Sequence, residues 1–529
     1  MIYNLFIFFL ITIFFQSSIL GYLSTLLKKI NFSENILVNN YIKYIYLIII
    51  ISLIGFFLYV FSIKQIFIIE IFWILGFILF LKNFKCNIKN YKIDFFFIII
   101  LFSGLVISKT HDDFIPYHLR YIYHITENDL TLGAGNIEVN YIYTPFFSYY
   151  QKMFVNSYFS YNLLHVPVFL LYSNFISFLF KVYKEKKFFS KFILIFFIFF
   201  IIKYSRLAEF GYDSLSTFIM ISLILIFLIE DNEKMYSNII IYLTIFTYSV
   251  YIKVTSLFFL PLILVIIFQN KNKFNFNYNV TLCYLFFLLL LSSIILDSIL
   301  KSGCLFYFLN FSCLKQEIIP WSVDKKIIDN FAQHAELWAK GFYHQKIIFN
   351  KIEYLQNFKW VKNWINIHFF YKVIEFFIIL IAIIILVIGL TAKVNKSKFL
   401  NLKNFLCLNT FACVISIYLW FTNMPQLRFG EGLIIAAFLI IISKLYKKIN
   451  INLYAKNIFL TLIIISIFIF NFKNLKRIHF EFSRNDVVYK FSNFPFPARI
   501  DQDIKDWRVI NNKFKETSLK DFKNLKYFK

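Results

Sequence analysis

Long apolar runs recur from one end of this chain to the other, and many approach the ~20 residues with which a helix crosses a bilayer. About fourteen segments meet that criterion. They are centred in Leu5–Leu27, Tyr44–Phe61, Ile66–Leu81, Phe95–Ile107, Leu163–Phe180, Phe188–Ile202, Leu215–Ile229, Ile239–Val250, Val254–Phe268, Val280–Leu300, Val373–Leu390, Phe405–Phe421, Leu433–Leu445 and Ile458–Phe470. Several are short, so about 12–14 crossings are expected, the remainder being re-entrant or interfacial. The runs lack the polar–apolar alternation of barrel strands, which makes the expected fold an all-α polytopic membrane protein. Composition agrees: 60% of the 529 residues are hydrophobic and 22% aromatic, too little polar surface for a soluble domain.

The net charge of +26 invites a nucleic-acid partner. The lysines, however, are dispersed between the apolar runs and not massed on one face, so no nucleic acid is expected. Their use is topological. Lys82, Lys85, Lys89 and Lys92 mark one short loop, and Lys181, Lys184, Lys186 and Lys187 another. Lys393, Lys396 and Lys398 mark a third, and Lys444, Lys447 and Lys448 a fourth. The positive-inside rule puts all four in the cytoplasm. With fourteen crossings both termini then lie outside. The first apolar run has no small-residue cleavage site and reads as a retained span.

This topology divides the chain into a transmembrane region, 1–472, and an external tail, 473–529. Loops 109–162, 203–213, 301–372 and 422–432 face outward. Of six cysteines, none has metal-ligand spacing. Cys304 and Cys313 share the third external loop, which leaves a local disulfide open.

The first loop opens with Thr110-His111-Asp112-Asp113, followed by Tyr117-His118 and Arg120. Charges at a membrane face cost free energy unless hydrated or paired, so such a cluster is a functional candidate. One reading makes a carboxylate a general base for an acceptor hydroxyl, with the second orienting it or holding a metal. The other makes Asp112 and Asp113 caps for a helix entering at Pro116. In the second loop Glu209 and Asp213 are four apart and would share a helix face, while Gly211 between them favours a turn. Lys253 breaks two apolar runs at an outer boundary, where it either holds an anionic phosphate or snorkels to headgroups. Arg428, at the tip of a short external turn, suits bidentate phosphate contact or serves as an interfacial anchor paired with Glu431.

Taken in chain order, these residues resemble the GT-C class of membrane glycosyltransferases, many-span proteins whose long first external loop begins with acidic residues. A closer similarity is to a largely uncharacterised bacterial multi-span family of GT-C character. It is carried by Asp113, Tyr117-His118 and Gly133-Ala134-Gly135-Asn136, then Glu209-Phe210-Gly211-Tyr212-Asp213 and Ile252-Lys253-Val254-Thr255-Ser256. Ser302-Gly303-Cys304-Leu305-Phe306-Tyr307, Pro320-Trp321 and Arg428-Phe429-Gly430 complete it. After Asn136 the chain departs from the family pattern, with Glu138, Asn140 and Thr144-Pro145.

The resemblance implies transfer of a sugar from a polyprenyl-phosphate donor to a cell-envelope acceptor, with GT-C-like loops facing the periplasm of a bacterial inner membrane. Asp112, Asp113, Glu209 and Asp213 are then the catalytic candidates; Tyr117, His118, Lys253 and Arg428 are the substrate-binding ones. A divalent cation, if one takes part, falls to Asp112 and Asp113. The alternatives are a lipid-linked oligosaccharide polymerase and a transporter or flippase of envelope lipids. The latter needs ionisable groups near mid-membrane, where Glu70 and Glu375 are the nearest acids.

Overall fold

The computed structural model describes residues 2–28, 30–33, 35–106, 118–158, 161–184, 190–205, 207, 211–229, 238–269, 278–344, 350–391, 408–445 and 456–483. Among these the chain is helical throughout and forms no β-strand. The helices begin with α1 (Ile2–Thr25), α2 (Ile36–Val60), α3 (Ile66–Lys82) and α4 (Phe84–Leu101). The first loop region carries α5 (Arg120–Glu127), α6 (Ala134–Ile137) and α7 (Phe147–Lys152). Then come α8 (Val166–Lys184), α9 (Ser190–Lys203), α10 (Gly211–Ile229), α11 (Asn238–Ile252), α12 (Leu260–Gln269) and α13 (Tyr278–Ser302). The third loop region holds α14 (Lys325–Ala339), α15 (Lys351–Leu355) and α16 (Trp360–Trp364). The chain closes with α17 (Ile374–Thr391), α18 (Leu408–Asn423), α19 (Leu427–Leu445) and α20 (Lys456–Ser483).

Seven helical stretches are long and apolar enough to cross a membrane: α1, α2, α8, α10, α13, α16–α17 and α20. The pair α3–α4 passes the same test jointly but bends by 106° at Asn83. Each of the fourteen apolar segments read from the sequence overlaps a helix. Several are too short to meet the crossing criterion alone, such as α11 and α18. The Lys85, Lys89 and Lys92 segment is not a loop: α4 begins at Phe84 and carries all three lysines.

Burial separates centre from rim. Of the apolar window of α10, 89% is buried inside the molecule, against 28% for α20. Exposed Leu75 and Ile78 of α3, Leu288 of α13, Ile385 of α17 and Phe468 of α20 face outward. A row of bare aliphatic and aromatic side chains is costly in water and suits lipid. Small residues let the inner helices touch. A Cβ on Gly21 of α1 would overlap the Gly76 carbonyl of α3, and one on Gly55 of α2 would overlap the Tyr149 carbonyl of α7.

The first loop is therefore not a solvated connector. Tyr149 and Tyr150 are fully buried, Trp73 of α3 donates its indole N–H to the Met153 carbonyl, and Glu70 accepts from the Ser157 amide at 2.9 Å. Glu70 thus ties the loop to the start of α3. Two other boundaries differ from the sequence reading. The last apolar stretch of loop 301–372 already belongs to the helix that starts at Trp360. Helix α20 runs to Ser483, so residues 473–483 continue the final helix and 484–529 lie outside the described residues.

Candidate functional site

Four helix ends meet at the loop end of the bundle, and each delivers an ionisable group. Asp213 stands in the first turn of α10, where a carboxylate is favoured by the helix dipole. Lys253 follows the last residue of α11, at a break held open by serines. Ser256 donates its amide to the Lys253 carbonyl at 2.9 Å and its hydroxyl to the Ser249 carbonyl at 3.2 Å. The β-branched Val254 and Thr255 add to the local disfavour for an α-helix, and the chain continues as a 3₁₀ segment, Val254–Phe259.

Arg428 is not at the tip of a turn: the turn is Met424–Gln426, and Arg428 is the second residue of α19. A cation there opposes the helix dipole, so it needs an anion. Asp213 supplies it. Its Oδ1 lies 2.8 Å from Lys253 Nζ and its Oδ2 3.5 Å from Arg428 Nε. The carboxylate side chain is 6% exposed, whereas Lys253 and Arg428 are 29% and 31% exposed. The acid thus sits behind two cations that face outward.

Aromatic rings fix both cations. The Arg428 guanidinium lies 4.6 Å from the Trp338 ring of α14 and 4.8 Å from Phe429, and Lys253 lies 5.1 Å from the same Phe429 ring. Gly430 makes this possible, since a Cβ there would overlap the Trp420 indole of α18. A second ion pair adjoins the first along α19. Glu431 accepts from Lys203 of α9 at 3.1 Å and from the Tyr204 hydroxyl, so it does not pair with Arg428. Among the described residues the cluster holds three cations, Lys203, Lys253 and Arg428, against two carboxylates.

His118 joins from the first loop. Its ring packs edge-on at 4.3 Å against Tyr212, the neighbour of Asp213, and is buried. Asp112, Asp113, Tyr117 and Glu209 lie outside the described residues. Of the sequence candidates the fold therefore brings together Asp213, Lys253, Arg428 and His118. No group of three or more His, Cys, Asp or Glu side chains placed to hold a metal occurs among the described residues. Among the described residues Asp213 pairs with two cations, Lys253 and Arg428.

A groove of about 480 Å³ lies beside the cluster, lined without a polar side chain by α16–α17, α18 and α19. One wall is the row Val361, Ile365, Phe369, Val373 and Phe377. Four residues overshoot an α-helical turn by ~40°, so a row at that spacing should spiral away. Here residues Ile365–Val373 form a π-helix, whose wider turn offsets the drift and keeps the row straight. Ile434, on the opposite wall, is six residues along α19 from Arg428, or about 9 Å of helix rise. The groove floor also holds Trp420, whose indole covers Gly430.

The sequence reading passed over one more charged pair. Asp297 and Lys301, one turn apart at the loop end of α13, are both buried and 2.7 Å apart. Opposite charges spaced i, i+4 inside an apolar run are a legible signal. At the far end of the bundle Asp94 of α4 pairs with Lys181 of α8 at 2.6 Å.

The fold and these sites define a multi-pass helical membrane protein with a mixed-charge centre where its helix ends converge. The chain belongs to the family described as Domain of unknown function (DUF8201), whose model matches residues 1–435. That stretch takes in the whole charge cluster and ends within α19. No curated protein and no solved structure matches the chain.

Proposed function

We propose that this protein is a GT-C-like membrane glycosyltransferase that moves a sugar from a polyprenyl-phosphate donor to a cell-envelope acceptor at the outer face of a bacterial inner membrane. The observation that carries the reading is the convergence of Lys253 and Arg428, both turned outward, next to an apolar groove. A lipid phosphate needs cations at headgroup level and a dry channel for its tail, and the two lie about 9 Å apart along one helix. A straight groove wall suits an unbranched run of isoprene units.

Roles then divide. Lys253 and Arg428 hold the donor phosphate and stabilise the charge that grows on it as the sugar leaves. Asp213, buried behind them, orients the two cations and keeps them from repelling each other; it is a positioning residue. That leaves the general base to Asp112 or Asp113. Asp113 is five residues before His118, and five residues of chain reach up to about 18 Å. In this reading His118 and Tyr117 contact the acceptor or the sugar. Glu209 joins the acids of the second loop in this reading.

Orientation has its own support. Cys304 and Cys313, at the same end of the bundle, form a disulfide, which belongs on the oxidising side of the membrane. All fourteen apolar helices then cross or enter the bilayer. The test is direct: purified protein is incubated with a panel of polyprenyl-phosphate sugars, and donor loss and polyprenyl phosphate release are followed. Turnover of at least one donor is expected; a panel left intact, with the protein folded, sinks the proposal.

A further inference from the structure

Next to the phosphate cluster lies a second buried polar centre built around Asp297. Tyr149 of α7 donates to Asp297 Oδ1 at 2.6 Å, and Lys301 donates to Oδ2 at 2.7 Å. The Tyr121 and Tyr149 hydroxyls are 2.7 Å apart, and Lys301 lies 4.6 Å from the Tyr121 ring. Burying a carboxylate and an ammonium costs several kcal/mol even when paired, so apolar packing would serve stability as well or better. A pair retained at the end of a span therefore points to a use.

The tyrosines around it sharpen the point. Tyr307 packs edge-on against Tyr251 at 5.9 Å and against Tyr143 at 5.6 Å. Lys301 Nζ lies 3.5 Å from the carbonyl of Thr144, the neighbour of Tyr143, which joins the two groups. The Tyr251 and Tyr143 hydroxyls are buried and make no hydrogen bond among the described residues. Tyr251 as a whole is only 5% exposed. A buried hydroxyl without a partner is disfavoured.

Position completes the case. Tyr251 is two residues from Lys253, and its carbonyl accepts the Phe146 amide of the first loop at 2.9 Å. Tyr143 is half-buried and marks the outward edge of the cluster. Hydroxyl groups, a carboxylate and aromatic rings in one cluster match the chemistry of a pyranose, which offers several hydroxyls on its rim and C–H groups on its faces.

We propose that Tyr143, Tyr251, Tyr307 and the Asp297–Lys301 pair form a sugar-ring subsite, adjacent to the cations that hold the phosphate. This assignment rests on the glycosyltransferase reading for its place in a reaction, but its ligand chemistry can be measured without turnover. The probe is a panel of methyl glycopyranosides, read by saturation-transfer NMR on detergent-solubilised protein. At least one glycoside gives a saturable signal in the wild type. Tyr251→Phe and Tyr143→Phe each weaken it about three- to tenfold, as expected for one lost hydrogen bond. Neither lowers Tm, because neither removes a hydrogen bond made within the protein.

Two results overturn the assignment: no glycoside signal in the wild type, or a signal indifferent to both Phe variants. Either is the outcome if internal water alone satisfies the hydroxyls. A protein that binds glycosides here yet turns over no polyprenyl-phosphate sugar keeps the subsite and loses the enzyme.

Discussion

Replacing Arg428 by lysine keeps the charge and removes the planar fork. In the fold the guanidinium is held between Trp338 and Phe429 while its Nε reaches Asp213 at 3.5 Å. A lysine ammonium offers no flat face and no second donor in the same plane. Loss of one charge-assisted contact is worth about 1.5–3 kcal/mol, and the stacking adds about 0.5–1 kcal/mol at a half-exposed site. Donor KM should therefore rise roughly thirty- to several-hundredfold, with kcat changed less. Lys253→Gln differs in kind. It takes away the 2.8 Å partner of a buried carboxylate. Breaking such a pair costs about 3–5 kcal/mol, so Tm should fall as well. Adding Asp213→Asn to Lys253→Gln should recover part of that Tm, because the buried carboxylate is gone and the charge that stays, Arg428, is 31% exposed. Steady-state kinetics over a range of donor, with thermal unfolding of the same samples, tests both. Donor dependence unchanged in Arg428→Lys and Lys253→Gln alike would refute the phosphate site and favour a transporter.

Three further outcomes follow from other parts of the molecule. Asp113→Asn should lower kcat by about 10²–10⁴ with insertion intact, the usual cost of a lost general base, whereas Asp213→Asn should act mainly on donor KM; wild-type turnover in Asp113→Asn removes that residue from the mechanism. Lys152, buried in α7, has its pKa lowered by desolvation to about 7; between that value and its ordinary 10.5 the unfolded chain binds one more proton, so stability should rise with pH across the window by about 1.4 kcal/mol per pH unit and be flat below it. Lys152→Met should abolish the slope in thermal unfolding measured from pH 7 to 9, and a difference from wild type that ignores pH contradicts the burial argument. Gly430→Ala should cost about 1–3 kcal/mol by overpacking the Trp420 indole and, by shifting the first turn of α19, raise donor KM without touching the donor itself.

The apolar runs made the helices legible because hydrophobic length is a property of one segment at a time. What they could not convey is which segments lie inside. Helices α10 and α20 read alike in sequence, yet one is central and the other on the rim. The first loop misled for the same reason. Its Tyr and Phe residues match an interfacial connector as well as a packed helix, and only the Gly55 contact with Tyr149 seats α7 against α2. The turn before α19 was drawn too long because Gly430 and Gly432 suggest a loop. Gly430 is there for clearance beneath Trp420.

The candidate site shows where single-chain reading stops. Asp213, Lys253 and Arg428 were each visible as charges at the end of an apolar run, where a cost demands a reason. Their pairing was not, because α10, α11 and α19 are far apart in sequence and nothing local couples them. Asp297 was harder still. It stands inside a run that already had a sufficient explanation as a span, and its partner, Lys301, looked like the expected flanking cation. Yet a carboxylate one turn inside the end of a span is less ordinary than an acid in a loop, since water is not there to stabilise it. Asp112 and Asp113 drew attention by being adjacent, although two acids in a polar segment cost little. By that physical measure Asp297, with its tyrosine and lysine donors, deserved the higher place among the candidates, and a search for function in such chains should weigh each charge by the solvation it has lost.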